Sequence, residues 1–178
     1  MCKNRNEDDS SNYPTLGEKS IFAMENKRQR YRVLSLVQTK KIGRLLAKEI
    51  LRAGAGGAAR VLALSGRLGA GKTNFVQGFA RGLGVKETVA SPTFAIIKKY
   101  GLPPASGFKN FYHIDCYRLA SGRELAVLGA AKIFGDSANI VAIEWPQTAA
   151  GILPRETMAI NFEVVGEQSR AIEFKFWI

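Results

Sequence analysis

Apolar residues recur along this chain with two different spacings, and together these predict a mixed α/β domain. From Ile42 to Ile50 they return every three or four residues, as on one face of an α-helix. Over Arg60–Ser65 they are almost continuous, which is typical of a strand buried on both faces of a parallel sheet. A second helix is predicted over Lys72–Leu83, and further strands at residues 31–36, 94–100, 110–115 and 139–144.

Turn and capping signals complete this prediction. Glycines from Gly54 onward end the first helix, and Ser121 with Glu124 has the spacing of a capping box at the start of a short helix. Residues 157–165, a turn at Gly166-Glu167 and residues 170–177 predict a terminal antiparallel hairpin. The pattern therefore predicts one α/β domain whose central sheet is mainly parallel.

Length and composition limit the classes of protein to which the chain can belong. It has 178 residues, 46% of them hydrophobic, so it can bury a core, and disorder of the full length is excluded. Residues 1–30 are rich in polar and charged residues and are interpreted as a mobile basic extension, with residues 31–178 as the single domain. With two cysteines, no secretory signal and no membrane-spanning stretch, we expect a cytoplasmic protein without membrane association.

The chain is strongly basic, with 26 Lys and Arg against 15 Asp and Glu and a net charge of +11. Such a surplus favours a polyanionic partner or substrate. Four of the basic residues recur at i+4 intervals along the first helix. This row has two interpretations: a solvated face, or a docking stripe for RNA or an acidic partner. The stripe consists of Lys40, Arg44, Lys48 and Arg52, and it would be extended by Arg28, Arg30 and Arg32 if the extension folds back.

A glycine-rich segment between the predicted strand and helix carries the main chemistry. Gly66-Arg67-Leu68-Gly69-Ala70-Gly71-Lys72-Thr73 fits the phosphate-binding pattern G-x-x-x-x-G-K-[ST]. Glycines let backbone N–H groups surround a phosphate, and the following helix presents its positive end. Lys72, expected in a solvent-facing loop, would contact the β- and γ-phosphates, and the Thr73 hydroxyl would bind Mg²⁺. The segment predicts a P-loop fold of three layers.

A P-loop protein also needs an acidic residue at the end of a neighbouring strand to complete its metal site. Asp115 and Glu144 each end a predicted strand, and the residues alone do not choose between them. The guanine-reading pattern Asn-Lys-x-Asp is absent, since Asn26-Lys27-Arg28-Gln29 lacks the aspartate. ATP is therefore the predicted nucleotide.

Four motifs, in their order and spacing, resemble the bacterial TsaE (YjeE) family, the ATPase of tRNA threonylcarbamoyladenosine biosynthesis. Besides the P-loop they are Ser91-Pro92-Thr93-Phe94, His113-Ile114-Asp115-Cys116-Tyr117-Arg118-Leu119 and Ile143-Glu144-Trp145-Pro146. Gln38-Thr39, placed before the first helix, is similar to the family's threonine-containing segment. The resemblance covers residues 34–165 and implies that TsaD and TsaB are the partners. The sequence leaves open whether the protein contacts tRNA directly or only indirectly, through these partners, and we expect the free protein to be a monomer.

The same resemblance implies roles for individual residues. The P-loop, Thr39 and Trp145 would contact the nucleotide, while Thr73 with Glu144 would hold Mg²⁺. Lys72, Asp115 and Glu144 would be the catalytic residues, with Asp115 near the γ-phosphate, and residues 91–94 would form a switch-like loop.

Two residues stand apart from this assignment. Arg67 replaces the family's usual acidic residue, and His113 is interpreted as structural because a lone strand histidine usually is. The alternatives to a partner-dependent ATPase are a small-molecule kinase and an ATP-gated binding module without significant turnover.

Overall fold

The structure is a computed structural model that describes residues 28–175. Within this range the chain forms seven strands: β1 Arg28–Val33, β2 Arg60–Ser65, β3 Ile97–Gly101, β4 Asn110–Asp115, β5 Asn139–Glu144, β6 Met158–Val164 and β7 Arg170–Lys175. The α-helices of the same range are α1 Leu36–Ala53, α2 Lys72–Leu83, α3 Gly122–Val127 and α4 Ala130–Gly135, and two 3-10 segments lie at Pro104–Ser106 and Pro146–Ile152. No helix of this part of the chain has the length and apolar character needed to cross a membrane.

All seven strands belong to one sheet, in the order β1-β7-β6-β2-β5-β4-β3. The four central strands run parallel, because β2 pairs in parallel with both β6 and β5, and β5 pairs in parallel with β4. The edges are antiparallel: β1 pairs with β7, β7 with β6, and β3 with β4. The predicted parallel centre and the terminal hairpin, β6–β7, are both confirmed.

Alternating side chains of the sheet supply two separate hydrophobic cores. Leu62 and Leu64 of β2 pack into a cluster with α1 and α2, which includes Phe75 and Phe79. Residues from the other face of the same strand pack into a second cluster with α3 and α4. Because a strand directs successive side chains to opposite faces, the nearly continuous apolar run of β2 feeds both cores. The predicted three-layer fold is confirmed.

Element boundaries differ from the prediction at three places. The first strand was expected at residues 31–36, but β1 starts at Arg28 and ends at Val33. Helix α1 begins at Leu36 because the Ser35 hydroxyl accepts a hydrogen bond from Gln38 N (3.2 Å) and caps the helix. Strand β3 starts at Ile97 rather than at residue 94, because Ile96 has a positive φ of 61°. Helix α4 was not predicted. The mobile extension was predicted for residues 1–30, of which residues 1–27 lie outside the described residues.

The arginines of β1 do not extend the basic stripe of α1. Arg30 forms an ion pair with Glu163 of β6 at 2.7 Å, and Arg28 pairs with Glu173 of β7. The alternate residues Tyr31 and Val33 are buried in the cluster that contains α1, so the arginines point to the opposite face of the sheet. The hypothesis that Arg28, Arg30 and Arg32 join the stripe is wrong.

Candidate nucleotide-binding site

The glycine-rich segment forms the turn between β2 and α2 that the sequence predicts. Gly71, directly before the helix, has φ 101°, a left-handed conformation that glycine adopts without steric cost. Gly66 at the other end has φ 144°, and a Cβ there would lie 2.6 Å from the Phe162 carbonyl oxygen. The turn therefore requires glycine at both ends, and it leads into the positive end of the α2 dipole, where anions bind favourably.

Lys72 is folded against the backbone of this turn. Its Nζ donates to the Gly66 carbonyl at 2.7 Å and to the Arg67 carbonyl at 3.2 Å. The same ammonium lies 4.2 Å from the centroid of a Trp145 ring, a cation–π contact. Lys72 is 5% exposed, so the expectation of a solvent-facing lysine is wrong. Burial lowers the pKa of Lys72, and the negative charges of Glu144 and Asp115 oppose this shift.

Glu144, at the end of β5, is held from two sides. The Thr73 hydroxyl, in the first turn of α2, lies 3.0 Å from Glu144 Oε1 and 3.3 Å from Oε2. His113 of β4 is fully buried, and its Nε2 lies 2.9 Å from Oε1 of the same carboxylate. A carboxylate oxygen can only accept a hydrogen bond, so Nε2 is the donor in this contact.

The sequence missed the role of His113 in this contact. A single histidine in a strand carries no metal-ligand or triad spacing, so the sequence alone predicts a structural residue. It lies two positions before Asp115, so in a strand both side chains point to the same face. That parity was the one signal in the sequence that placed His113 beside the acids.

Asp115, at the end of β4, holds the 91–94 segment rather than standing free. Its Oδ2 accepts hydrogen bonds from the Ser91 hydroxyl at 2.8 Å and from the Thr93 hydroxyl at 2.6 Å, and its Oδ1 accepts one from Tyr117 N at 3.0 Å. Asp115 is also the register partner of Glu144 across the parallel β4–β5 pair. The two predicted acids therefore lie side by side, each nearly buried, with different hydrogen-bond partners.

These groups surround a cavity of about 330 Å³, which falls in the size range of small-molecule sites. Of the predicted site residues, its walls include Leu68, Gly69, Gly71, Lys72, Thr73, Asp115, Glu144 and Trp145. The sequence did not predict the contributions of Asn74 and Tyr117. Neither residue type indicates a nucleotide site by itself. The available signal in the sequence is proximity, since Asn74 follows Thr73 and Tyr117 lies two positions after Asp115.

Three predicted residues support the cavity without lining it. Ala70 is fully buried in the core, and Gly66 contributes the carbonyl that holds Lys72. Thr39 lies inside α1, not before it, and its hydroxyl donates to the Ser35 carbonyl at 3.2 Å. A Cβ on Gly71 would lie 3.7 Å from the Thr39 methyl group, so Thr39 packs behind the P-loop.

Comparison with known proteins extends over the same part of the chain. The family model described as threonylcarbamoyl adenosine biosynthesis protein TsaE matches residues 33–172. A Borreliella burgdorferi protein is 40% identical over 115 residues, which are 64% of this chain and 80% of that protein. A Bacillus subtilis protein is 36% identical over 148 residues, 83% of this chain and 85% of its own length. Both carry the name tRNA threonylcarbamoyladenosine biosynthesis protein TsaE.

A solved structure agrees with the sequence relatives. The crystal structure of Bacillus subtilis YdiB aligns with a TM-score of 0.67 and 31% identity, over 85% of this chain and 86% of that one. All four motifs on which the resemblance was stated lie inside the segment that the family model matches. The chain therefore belongs to the TsaE family.

Proposed function

We propose that this protein is a Mg²⁺-dependent ATPase that acts in the biosynthesis of threonylcarbamoyladenosine in tRNA. The single observation that carries the ATPase proposal is the convergence of Lys72, Thr73 and Glu144 on one cavity at the N-terminus of α2. In P-loop proteins an ammonium contacts the phosphates of a nucleoside triphosphate, while a hydroxyl and a carboxylate hold its metal ion. The assignment to the tRNA pathway is supported by the names of the family and its members.

The donor set fits Mg²⁺ bound together with a nucleotide. Thr73 and Glu144 offer adjacent oxygen atoms, and Mg²⁺ is usually held by one or two carboxylates together with substrate phosphates and water. Within residues 28–175, no three His, Cys, Asp or Glu side chains form a group able to hold a metal. Protein ligands alone would therefore hold the ion weakly, and the phosphates would supply further ligands. When bound, Mg²⁺ neutralises charge that develops on the phosphates.

The remaining residues are proposed to bind and orient ATP. Lys72 exchanges the carbonyls of Gly66 and Arg67 for phosphate oxygens, which attract an ammonium more strongly because they are charged. Asp115 positions the 91–94 segment through the hydroxyls of Ser91 and Thr93, and this segment in turn orients the attacking water. Trp145 forms one wall of the cavity and contacts the nucleotide.

The partners and setting of the reaction follow the family resemblance. TsaD and TsaB are the proposed partners, and ATP hydrolysis resets their complex between rounds of tRNA modification. The protein is proposed to act in the cytoplasm and to be a monomer when free.

Phosphate release from Mg²⁺–ATP, with and without TsaD and TsaB, tests the ATPase proposal. We expect partner-stimulated release from the parent chain and none above background from Lys72→Ala. Lys132→Ala removes the same charge from an exposed position on α4 and is the matched control. Near-normal release from Lys72→Ala contradicts the proposed site. The absence of release from the parent with both partners present supports the ATP-gated binding module instead, and a phosphorylated acceptor supports the kinase.

The pathway is tested separately in cells depleted of this protein. Mass spectrometry of digested tRNA should show a loss of threonylcarbamoyladenosine, which the parent chain and Lys132→Ala restore and Lys72→Ala does not. Unchanged levels of the modified nucleoside after depletion contradict the pathway assignment, whatever the ATPase result.

A further inference from the structure

Four cations on α1 have side chains without a hydrogen bond or ion pair in the described part of the chain: Lys40, Lys41, Arg44 and Lys48. All four are exposed, and Lys40, Arg44 and Lys48 belong to the predicted stripe, whereas Lys41 does not. Arg52, the fourth member of the predicted stripe, differs because it forms an ion pair with Glu49 at 2.7 Å. Within the stripe, the unpaired charge therefore lies on the first three residues.

Two of these cations lie at a tight seam between helices and not on an isolated helix face. A Cβ on Gly78 of α2 would lie 2.0 Å from the Lys40 carbonyl oxygen, and a Cβ on Gly82 would lie 2.7 Å from that of Arg44. Only glycine permits this approach, so α1 and α2 are in close backbone contact there. The backbones of Lys40 and Arg44 are consequently fixed relative to α2.

Opposite these residues, the segment after α2 forms the second wall of a groove. Arg81 Nη1 donates to the Val85 and Lys86 carbonyls, both at 3.2 Å, and Gln77 Nε2 donates to the Val89 carbonyl at 3.0 Å. These bonds hold the segment against α2. The groove has a volume of about 240 Å³ and contains the side chains of Lys40, Arg44 and Arg81 with one carboxylate, Glu87. We call it the basic groove.

The lining of the basic groove fits a polyanion better than a protein surface. Its one large apolar side chain, Val89, is 5% exposed, so the groove offers no apolar anchor of the kind found at the centre of protein interfaces. Lysine and arginine are instead the groups that neutralise phosphates of a nucleic acid, and of the three in the groove Lys40 and Arg44 have no side-chain partner in residues 28–175. The chain as a whole carries +11. The groove shares no lining residue with the nucleotide cavity.

We propose that the basic groove, formed by Lys40, Arg44 and Arg81, binds the phosphate backbone of RNA. These contacts hold the RNA in position and read no bases, since the groove offers charge and no pocket for a splayed base. The choice of tRNA as the RNA rests on the proposed function, whereas the phosphate chemistry of the groove does not.

The test is binding of a fluorescently labelled tRNA transcript to the full chain, followed by anisotropy over a series of KCl concentrations. Lys40→Gln combined with Arg44→Gln is compared with Lys109→Gln combined with Lys132→Gln, which removes the same charge from exposed residues elsewhere. We expect the groove variant to bind at least about tenfold more weakly at low salt, and its log–log salt slope to fall by roughly 1.5 for two lost contacts. The control should bind nearly as the parent does.

A charge-conserving variant, a second polyanion and an ATPase measurement complete the experiment. Exchanging the two residues as Lys40→Arg with Arg44→Lys keeps the charge and should keep the affinity. The proposal is overturned if the parent does not bind tRNA at low salt, if the groove variant binds as tightly as the parent, or if the control loses as much affinity. Tighter binding of polyglutamate than of tRNA assigns the groove to acidic proteins instead. ATP hydrolysis, measured on the same proteins, separates failure of this proposal from failure of the ATPase assignment.

Discussion

The Thr73 hydroxyl lies 3.0 Å from Glu144 Oε1, although 71 residues separate the two along the chain. Thr73 belongs to the first turn of α2 and Glu144 to the last position of β5, so their contact joins the P-loop to the neighbouring strand. Asp115, the register partner of Glu144, instead binds the 91–94 segment. The two acids, which residue types alone do not distinguish, thus differ in their hydrogen-bond partners.

Glu144→Gln should weaken Mg²⁺-dependent nucleotide binding more than Asp115→Asn does. The change keeps the shape of the side chain but removes the negative charge that opposes the cation. Removing a residue that is hydrogen-bonded to a metal ligand lowers metal affinity roughly 10–100-fold. We expect removal of a direct ligand to lower the Mg²⁺ affinity at least as much. Titration of a fluorescent ATP analogue with and without Mg²⁺ measures it. Equal Mg²⁺ dependence in Glu144→Gln and the parent excludes Glu144 as the ligand.

Asp115→Asn should spare nucleotide binding and slow hydrolysis by about 10²-fold, because it weakens the attachment of the segment that is proposed to orient water. Thr93→Val keeps the side-chain shape, removes one of the two hydroxyls on Asp115, and should reduce hydrolysis in the same direction. Since both changes break one interaction, the double variant should be little worse than Asp115→Asn alone. Single-turnover rates measure this, and full additivity contradicts a shared role.

In His113→Leu, the gain in nucleotide affinity on adding Mg²⁺ should be about 10-fold smaller than in the parent. The change removes the buried donor that orients Glu144. His113→Gln retains an N–H donor and should recover a large part of that loss. A structural role alone would change the melting temperature of both variants without changing their Mg²⁺ titrations. That result contradicts a positioning role for His113.

Gly78→Ala should destabilise the fold by about 3 kcal/mol or more, because the new methyl group would lie 2.0 Å from the Lys40 carbonyl oxygen and the helices must separate. Gly135→Ala is the matched control: Gly135 is also helical, has no heavy atom within 4 Å of the added Cβ, and should change stability by about 1 kcal/mol or less. Urea denaturation of the two variants measures the difference. Equal stabilities would show that α1 and α2 do not pack as closely as described.

Cys116 should resist alkylation in the native protein. Burial raises the pKa of the Cys116 thiol to about 12, and the negative charge of Asp115 adds to this shift. A raised thiol pKa means that the unreactive protonated form dominates at pH 8. Peptide mass spectrometry after iodoacetamide treatment should find Cys116 unmodified in native protein and modified in guanidinium chloride, independently of any reaction at Cys2. Rapid native labelling contradicts the burial of this residue.

Where a signal is local, the sequence was sufficient. The bounds of β2, β4, β5 and α2 agree with the predicted ones, because each has a continuous or periodic apolar pattern that ends at a glycine or polar residue. Prediction failed at residues 94–96, where apolar residues suit a strand. The positive φ of Ile96 and the bonds of Thr93 to Asp115 hold them in a turn instead.

By itself, then, the sequence determined the class of fold, the glycine-rich turn between β2 and α2 and the position of the two acids at strand ends, because these depend on residue types and short spacings. The tertiary structure alone decided the strand order and the antiparallel edges. It also decided the partners of each acid, the contact of His113 with Glu144, and the pairing of Arg28 with Glu173 across 145 residues. The basic groove is of the same kind, since α1 supplies two of its cations and α2 the third. Such contacts depend on which distant segments pack together, and no local pattern of residues encodes that choice.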